Sequence, residues 1–370
     1  MKVNVITRHA PANYGSLLQT IATQKIISDL GYECEIIDYI PKYETGVRIA
    51  FTQLKQKKKW NNNLIKKLLY IAAREPENII MYKKFSAMRK RTLNLGFRCC
   101  SIEELKETYR NETGSIYVTG SDQVWGSVST GIYDPAYFLD FIPKDARRLS
   151  FSSSFGKTAF DAQTKEEYKQ LLLKYDAVTV REDSAVELIN TMGIHAEQIL
   201  DPTLLLTSDE WEQYITPMRK PDRYVLVYQI HNNPGLDIYA KNFARYVDMP
   251  LVRISPLFHQ AKRGGRFVYL PDIGGFLDLI KNADHMVTDS FHGTAFAINF
   301  NTRFVEVLPN TDTGSRNQSV LKLLDLTDRI VKEFDKFDLA DKQIDFSSCR
   351  KKLETEREKS LNIVRGILSL

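Results

Sequence analysis

Short apolar strands alternate with helices along nearly the whole chain, and the alternation breaks and restarts once. Residues 3–7 read as a strand, 14–30 as a helix closed by Gly31, and 35–39 as a second strand. Further strands are expected at 115–119, 149–153, 177–180 and 198–200, with helices at 165–173 and 183–192. A polar stretch, Thr216-Pro217-Met218-Arg219-Lys220-Pro221-Asp222, then has the composition of a linker. Beyond it come strands at 224–230, 251–255, 267–269, 285–288 and 304–308, with helices at 236–247, 276–282 and from Thr294. Alternation of this kind requires parallel strands covered by helices on both faces. The expected fold class is α/β, as two doubly wound domains facing across a cleft, at residues 1–215 and 222–345. Residues 349–370 carry Leu353, Leu361, Ile363, Val364, Ile367 and Leu368 at helical spacing. They are expected to form a helix that packs back on the first domain.

A chain of 370 residues suffices for two such domains. Apolar residues at 43% and charged residues at 26% exclude a disordered or fibrous chain. No apolar run approaches the roughly 18–20 residues that cross a bilayer, and the first residues lack the apolar core of a signal peptide. Cys34, Cys99, Cys100 and Cys349 show no zinc spacing, and the adjacent pair is ill placed for a disulfide. Four reduced thiols in a cytoplasmic protein are expected. His9, His195, His231, His259 and His285 show no metal spacing either, so no essential metal and no cofactor is expected.

The loops after the strands hold the candidate chemistry. Apolar Met286 and Val287 lead into Asp289-Ser290-Phe291-His292-Gly293-Thr294, and a helix follows. A strand-to-helix turn aims backbone N–H groups and the positive end of the helix dipole at one point. A histidine there can bind an anion or carry a proton, and Gly293 would let a ligand approach. Similar loops follow other strands: Asn13-Tyr14-Gly15 leading to Gln19, Gly120-Ser121-Asp122-Gln123-Val124-Trp125, Ser152-Ser153-Ser154-Phe155-Gly156, Arg181-Glu182-Asp183-Ser184, Asp201-Pro202-Thr203, and Gly314-Ser315-Arg316-Asn317. Each alone is most often a turn. Together, at equivalent strand ends, they point to one composite site.

This set, in this order from residue 13 to about 316, is similar to the polysaccharide pyruvyltransferase family. The resemblance implies two Rossmann-like domains of the GT-B-like glycosyltransferase type. It also implies transfer of the enolpyruvyl unit of phosphoenolpyruvate to hydroxyls of a saccharide, with ketal formation, in cell-surface polysaccharide synthesis. The partners it implies are phosphoenolpyruvate as donor and a saccharide acceptor, carried on a lipid in one reading. His292 is then the proton carrier, Arg181 a contact to the donor, and Asp122 a candidate base. Ser290, Gly293, Thr294, Arg316, Asn13, Tyr14, Gly15, Ser121, Gln123, Trp125 and Ser153 complete the expected substrate-binding set. Some members place an arginine two residues before the histidine, where this chain has Ser290. Arg316, Arg8 and Lys157 are the candidate replacements for that charge.

Several of these residues admit plainer roles. Arg181 can pair with Glu182, Asp201 can cap a helix, Gln19 can pin a loop, and Trp125 can be core or a platform for a sugar ring. A nucleotide-sugar glycosyltransferase is the competing enzyme, with Phe258, Leu270 and Asp272 as a pocket for base and ribose. A saccharide- or membrane-binding scaffold without chemistry is the third reading.

The net charge of +5 conceals a basic insert at about 46–98 in the first domain. Residues 51–100 hold thirteen Lys or Arg and two acids, a local net of +11, so the rest of the chain sums to −6. Within 54–94 the lysines interleave with apolar residues, and Leu64, Leu68 and Ile71 fall on one helical face. Two roles stay open, a helical hairpin packed on the first domain and a peripheral contact with the inner face of an anionic membrane. No nucleic-acid-reading motif accompanies the charge, and no nucleic-acid partner is expected.

Overall fold

The structure, a computed structural model, describes residues 1–44, 54, 62–128, 133–309 and 314–370. The lysines at 55 and 57–59, Trp60 and Thr313 lie outside the described residues. Two compact units divide the chain. The first comprises residues 1–155, 160–180 and 189–197; the second comprises 156–159, 181–188 and 198–370.

The first unit is built on a parallel sheet of β1 (Lys2–Ile6), β2 (Glu33–Ile36), β3 (Ile116–Thr119) and β4 (Arg147–Ser150), in the order β2-β1-β3-β4. Val3 sits between Cys34 and Ile116 in register, and Val3, Val5 and Ile6 are fully buried. Helix α1 (Tyr14–Asp29) starts where Asn13 Oδ1 accepts the Gly15 N–H, and the chain turns at Gly31 with φ of 87°. That positive φ is one glycine adopts without a Cβ clash. Strand order reverses between β1 and β3, so the loops leaving their carboxyl ends, 7–13 and 120–123, meet, with the Thr7 hydroxyl donating to the Ser121 carbonyl.

Within the described part of the basic segment, residues 64–92 form helix α2 (Leu64–Thr92), with Pro76 inside it. Its second half packs: Met81, Phe85, Met88 and Arg89 are buried, and Phe85 meets the Tyr14 ring at 5.1 Å. Arg89 Nη1 donates to the Ala10 carbonyl at 2.5 Å and ties α2 to the loop after β1.

The second unit holds β5 (Val225–Tyr228), β6 (Leu251–Ser255), β7 (Arg266–Tyr269), β8 (His285–Thr288) and β9 (Arg303–Glu306), all parallel, in the order β9-β8-β5-β6-β7. Helix α3 (Pro234–Tyr246) buries Leu236, Tyr239 and Phe243 against Val225, Val227, Val287 and Val305. Helices α4 (Ile273–Lys281), α5 (Phe291–Asn299) and α6 (Ser315–Leu323) follow. The order reverses between β5 and β8, which makes their carboxyl ends the switch point where ligands sit in such sheets.

The division of the chain differs from the expected boundary near 215. Residues 198–215 belong to the second unit, and the linker-like stretch 216–222 is tied to it. Met218 N donates to Asp278 Oδ2 at 3.0 Å, and Lys220 Nζ stands 2.6 Å from the same oxygen. The C-terminal helix α7 (Phe346–Ser369) also belongs to the second unit. Its Arg357 donates to the Leu204 and Leu206 carbonyls and to Asn299, and its Ser360 accepts the Leu200 N–H. Polar composition suggested a linker at 216–222, but buried Asp278 supplies partners that hold it in place.

Candidate functional site

At the β8–α5 turn the helix begins three residues earlier than the sequence suggests, at Phe291, with Ser290 as its N-cap. Ser290 Oγ accepts the Gly293 N–H at 3.2 Å, so that donor is committed to the cap. Gly293 serves packing rather than ligand approach. A Cβ there would stand 2.6 Å from Thr288 Oγ1 and 3.0 Å from Met286 Cε. Asp289 clamps the turn to the loop leaving β5, its two oxygens accepting the Ile230 and His231 N–H groups at 2.7 and 3.0 Å. The His231 ring lies beside it, Nδ1 at 3.4 Å from Asp289 Oδ2.

Three ionisable side chains meet here within the second unit. Arg181 Nη1 donates to Asp201 Oδ2 at 2.8 Å, and His292 Nε2 lies 3.8 Å from the same oxygen. The Arg181 guanidinium also covers the Phe291 ring at 4.5 Å. All three are buried. Asp201 Oδ1 meanwhile caps the short helix Pro202–Leu205, accepting the Thr203 N–H at 2.9 Å and its hydroxyl at 2.6 Å. Thus Asp201 both caps a helix and pairs with Arg181, whereas Glu182 approaches Arg181 Nε no closer than 4.0 Å. Burial disfavours the charged form of Asp201. The His292 and Arg181 cations and the Thr203 hydrogen bond outweigh it, and its carboxyl stays below the usual carboxylate range.

A cavity of about 10 Å³, room for roughly one water molecule, is lined by Arg181, Asp201, Phe291 and Arg316 among others. Of the three candidate replacements for the missing arginine, Arg316 is the one at this cavity. Arg8, in the first unit, pairs with Glu44, and Lys157 is exposed.

Behind the site, Glu306 at the end of β9 is fully buried. Thr294 Oγ1 donates to one of its oxygens and Asn317 Nδ2 to the other, at 2.6 Å in the second case. Burial pushes the Glu306 carboxyl up to about 8, and the negative charge of Asp289 adds to the shift. Thr294, expected to touch substrate, instead links α5 to β9. Asn317 brings the α6 helix, which carries Arg316, to the same carboxyl. Asn317 stood in a candidate loop without a role of its own, and nothing in the sequence pattern marked Glu306, since an acid at a strand end is usually solvated.

In the first unit, most expected contacts are consumed by the loops themselves. Trp125 is fully buried, stacked on Phe138 at 5.6 Å and tilted on Phe155 at 5.1 Å, with Nε1 donating to Tyr137 O at 3.3 Å. It is a core side chain with no face left for a sugar. Ser153 Oγ donates to the carbonyls of Thr119 and Gly120 at 3.1 and 3.0 Å. Ser121 is buried and its carbonyl accepts the Thr7 hydroxyl; Tyr14 is buried against Phe85. Gln19 Nε2 donates to Thr7 Oγ1, Ser16 O and Thr20 Oγ1, pinning the loop after β1. Gly15 is also buried, and its N–H is the one Asn13 caps. Asp122 and Gln123 remain half-exposed.

Asp122 has φ of 73°, a left-handed conformation that strains a residue with a Cβ. Its carboxylate accepts from Ser16 Oγ at 2.7 Å and from Gln123 N at 2.9 Å. Nearby charge in this unit includes Asp134, which accepts from the Tyr39 and Tyr43 hydroxyls at 2.9 and 2.7 Å. The pocket read for base and ribose is altered too. Asp272 is the N-cap of α4, accepting the Gly275 N–H at 2.8 Å, and Leu270 is buried. All four cysteines are unpaired thiols. Among the described residues no group of three or more His, Cys, Asp or Glu side chains gathers in a way that would hold a metal ion.

The family model described as polysaccharide pyruvyl transferase matches residues 13–312. The chain belongs to that family. Residues 13–312 contain the β8–α5 turn, Arg181, Asp201 and the Asp122 loop. No curated protein matches the sequence. Among solved structures, the chain is similar to the S. aureus MnaA–UDP co-structure, with 11% identity, TM-score 0.56, and coverage of 100% of this chain and 98% of that one. It is similar to Arabidopsis thaliana UGT89C1 complexed with UDP-L-rhamnose, with 7% identity, TM-score 0.54, and coverage of 100% and 99%. A third is UDP-GlcNAc 2-epimerase from Neisseria meningitidis bound to UDP-GlcNAc, with 10% identity, TM-score 0.52, and coverage of 100% and 99%. At such identities these likenesses establish the fold, which is α/β with two Rossmann-like domains of the GT-B type. This pyruvyl transferase family member contains no helix, among the described residues, long and apolar enough to cross a membrane.

Proposed function

We propose that this protein transfers the pyruvyl unit of phosphoenolpyruvate to hydroxyls of a saccharide, closing a ketal, in the building of a cell-surface polysaccharide. The observation that carries the reading is the meeting of Arg181, Asp201 and His292 at one buried point, at the switch point of the second sheet. Phosphoenolpyruvate is a small anion with a carboxylate at one end and a phosphate at the other. Arg181 offers the planar fork that suits either group, and Arg316 adds a second cation at the same cavity. The cavity is small, so entry of the donor requires side chains lining it to move.

In this reading a protonated His292 ring, 3.8 Å from the Asp201 carboxylate, gives its proton to the methylene carbon of the enol. The central carbon then carries positive charge, and a sugar hydroxyl oxygen bonds to it while that hydroxyl's proton passes to a base. Asp122 is the candidate base, its carboxylate held by the Ser16 hydroxyl and the Gln123 N–H. A second hydroxyl oxygen bonds to the same carbon as the bond from that carbon to the phosphate oxygen breaks, and phosphate leaves, taking up the proton of the second hydroxyl. One acid, one base and the departing phosphate account for every proton, and no metal or cofactor enters the scheme.

The test is thermal unfolding of the purified protein with phosphoenolpyruvate and, separately, with a panel of nucleotide sugars. A ligand that binds only the folded state raises its stability by about 2.7 kcal/mol at 100 times its dissociation constant. A shift with millimolar phosphoenolpyruvate is expected. Its absence, together with a shift from a nucleotide sugar, would reject the pyruvyl donor in favour of glycosyl transfer.

A further inference from the structure

The first half of α2 is inverted relative to an ordinary surface helix. At 100° per residue, Leu64, Ile65, Leu68, Leu69, Ile79 and Ile80 fall on one outward face, and they are 71, 68, 60, 59, 45 and 51% exposed. The half-buried side of the same turns carries Lys67, Tyr70, Ile71 and Arg74. The stripe runs about 25 Å along the helix at about 1.5 Å per residue. From Lys83 onward the outward side changes character and carries exposed Lys83, Lys84, Lys90 and Arg91, while Met81, Phe85 and Met88 anchor the opposite side in the first unit. Contiguous exposed apolar surface of this kind marks an interaction site.

We infer that this face of α2 docks on the surface of an anionic lipid bilayer. The apolar stripe lies at the boundary between headgroups and acyl chains, and the basic band beside it meets the lipid phosphates. Charge decides the occupant: a stripe of leucine and isoleucine continued by four exposed cations matches an interface that is apolar beneath and negative above. The anchored second half of the helix holds the stripe at a fixed position on the unit, so docking needs no refolding. This proposal does not depend on the nature of the reaction.

The experiment is co-sedimentation of the full-length protein with large vesicles of phosphatidylcholine alone, or with about 30% phosphatidylglycerol, at low and high salt. Binding to the anionic vesicles is expected, falling about tenfold or more with neutral lipid or high salt. Leu64→Asp/Leu68→Asp and, separately, Lys83→Gln/Lys90→Gln should each lower it by about tenfold at an unchanged melting temperature, because all four side chains are exposed. The proposal is overturned if the wild-type protein stays in the supernatant or binds neutral and anionic vesicles equally. It is equally overturned if it is a dimer that Leu64→Asp/Leu68→Asp converts to monomer, since a second copy then covers the face.

Discussion

The two switch points of this molecule look alike in sequence and differ in what their polar side chains do. In the first unit, the loops after β1 and β3 are rich in Ser, Thr and Gln, and most of those groups bond to the loop backbone. Ser153, Thr7 and Gln19 hold carbonyls and hydroxyls in place, and Trp125 fills the core beneath them. In the second unit, Arg181 and, from the turn after β8, His292 meet on the Asp201 carboxylate, and the neutral groups merely cap and pack around them. Neutral hydroxyls at a strand end satisfy the strained backbone of a turn at little cost. Charges gathered out of water are expensive unless they work as a set. The contrast is the reason the proposed function draws its donor contacts from the second unit.

The widest separation between the two regions comes from substituting one residue in each. His292→Ala should cut turnover by about 10²–10⁴-fold with little loss of stability, as the removal of a proton carrier does. Trp125→Ala should do the reverse, costing about 3–5 kcal/mol of stability while the folded protein binds donor as before. Steady-state kinetics with acceptor-dependent phosphate release, run beside thermal unfolding, reads both. An active His292→Ala or a fully stable Trp125→Ala would erase the distinction.

A smaller effect tests the buried carboxyl behind the site. The folded-state value of Glu306, pushed up to about 8, exceeds its ordinary 4.5. The stability it contributes is therefore fully present below about 4.5 and is lost as the pH rises through about 8. Glu306→Gln should remove that dependence and make the protein more stable than wild type at pH 9, by about 1–3 kcal/mol. Parallel denaturation curves for both proteins from pH 5 to 9 would refute the buried titration. The smallest effect is expected of Ser290→Ala, about 1 kcal/mol, the usual cost of a lost N-cap. A larger loss in donor affinity than in stability would show that the Ser290 hydroxyl also serves the ligand.

The element order was legible in the sequence because apolar periodicity reports which faces are buried. The strands at 251–255 and 285–288 match Leu251–Ser255 and His285–Thr288 residue for residue. The second strand was shifted, to Glu33–Ile36, because Ile37, Tyr39 and Ile40 are also buried but lie beyond the sheet pairing. The helix expected from Thr294 begins at Phe291, since a serine N-cap draws the start of a helix back over aromatic and histidine positions that periodicity leaves ambiguous. Arg181 and His292 were marked by residue type at a strand end. Asp201 was underrated because a capping oxygen leaves a second oxygen that only the fold can assign.

By itself the sequence determined the α/β class, the family and the two residues on which the donor reading rests, because local periodicity and short motifs survive without coordinates. Tertiary structure decided which polar residues were spent on loops, where the chain divides, and which way α2 turns its apolar face. Those outcomes depend on long-range contacts, such as Asp201 with Arg181 and Asp278 with the 216–222 stretch. A buried partner far away in the chain changes what a side chain is free to do, and spacing along the chain does not record it.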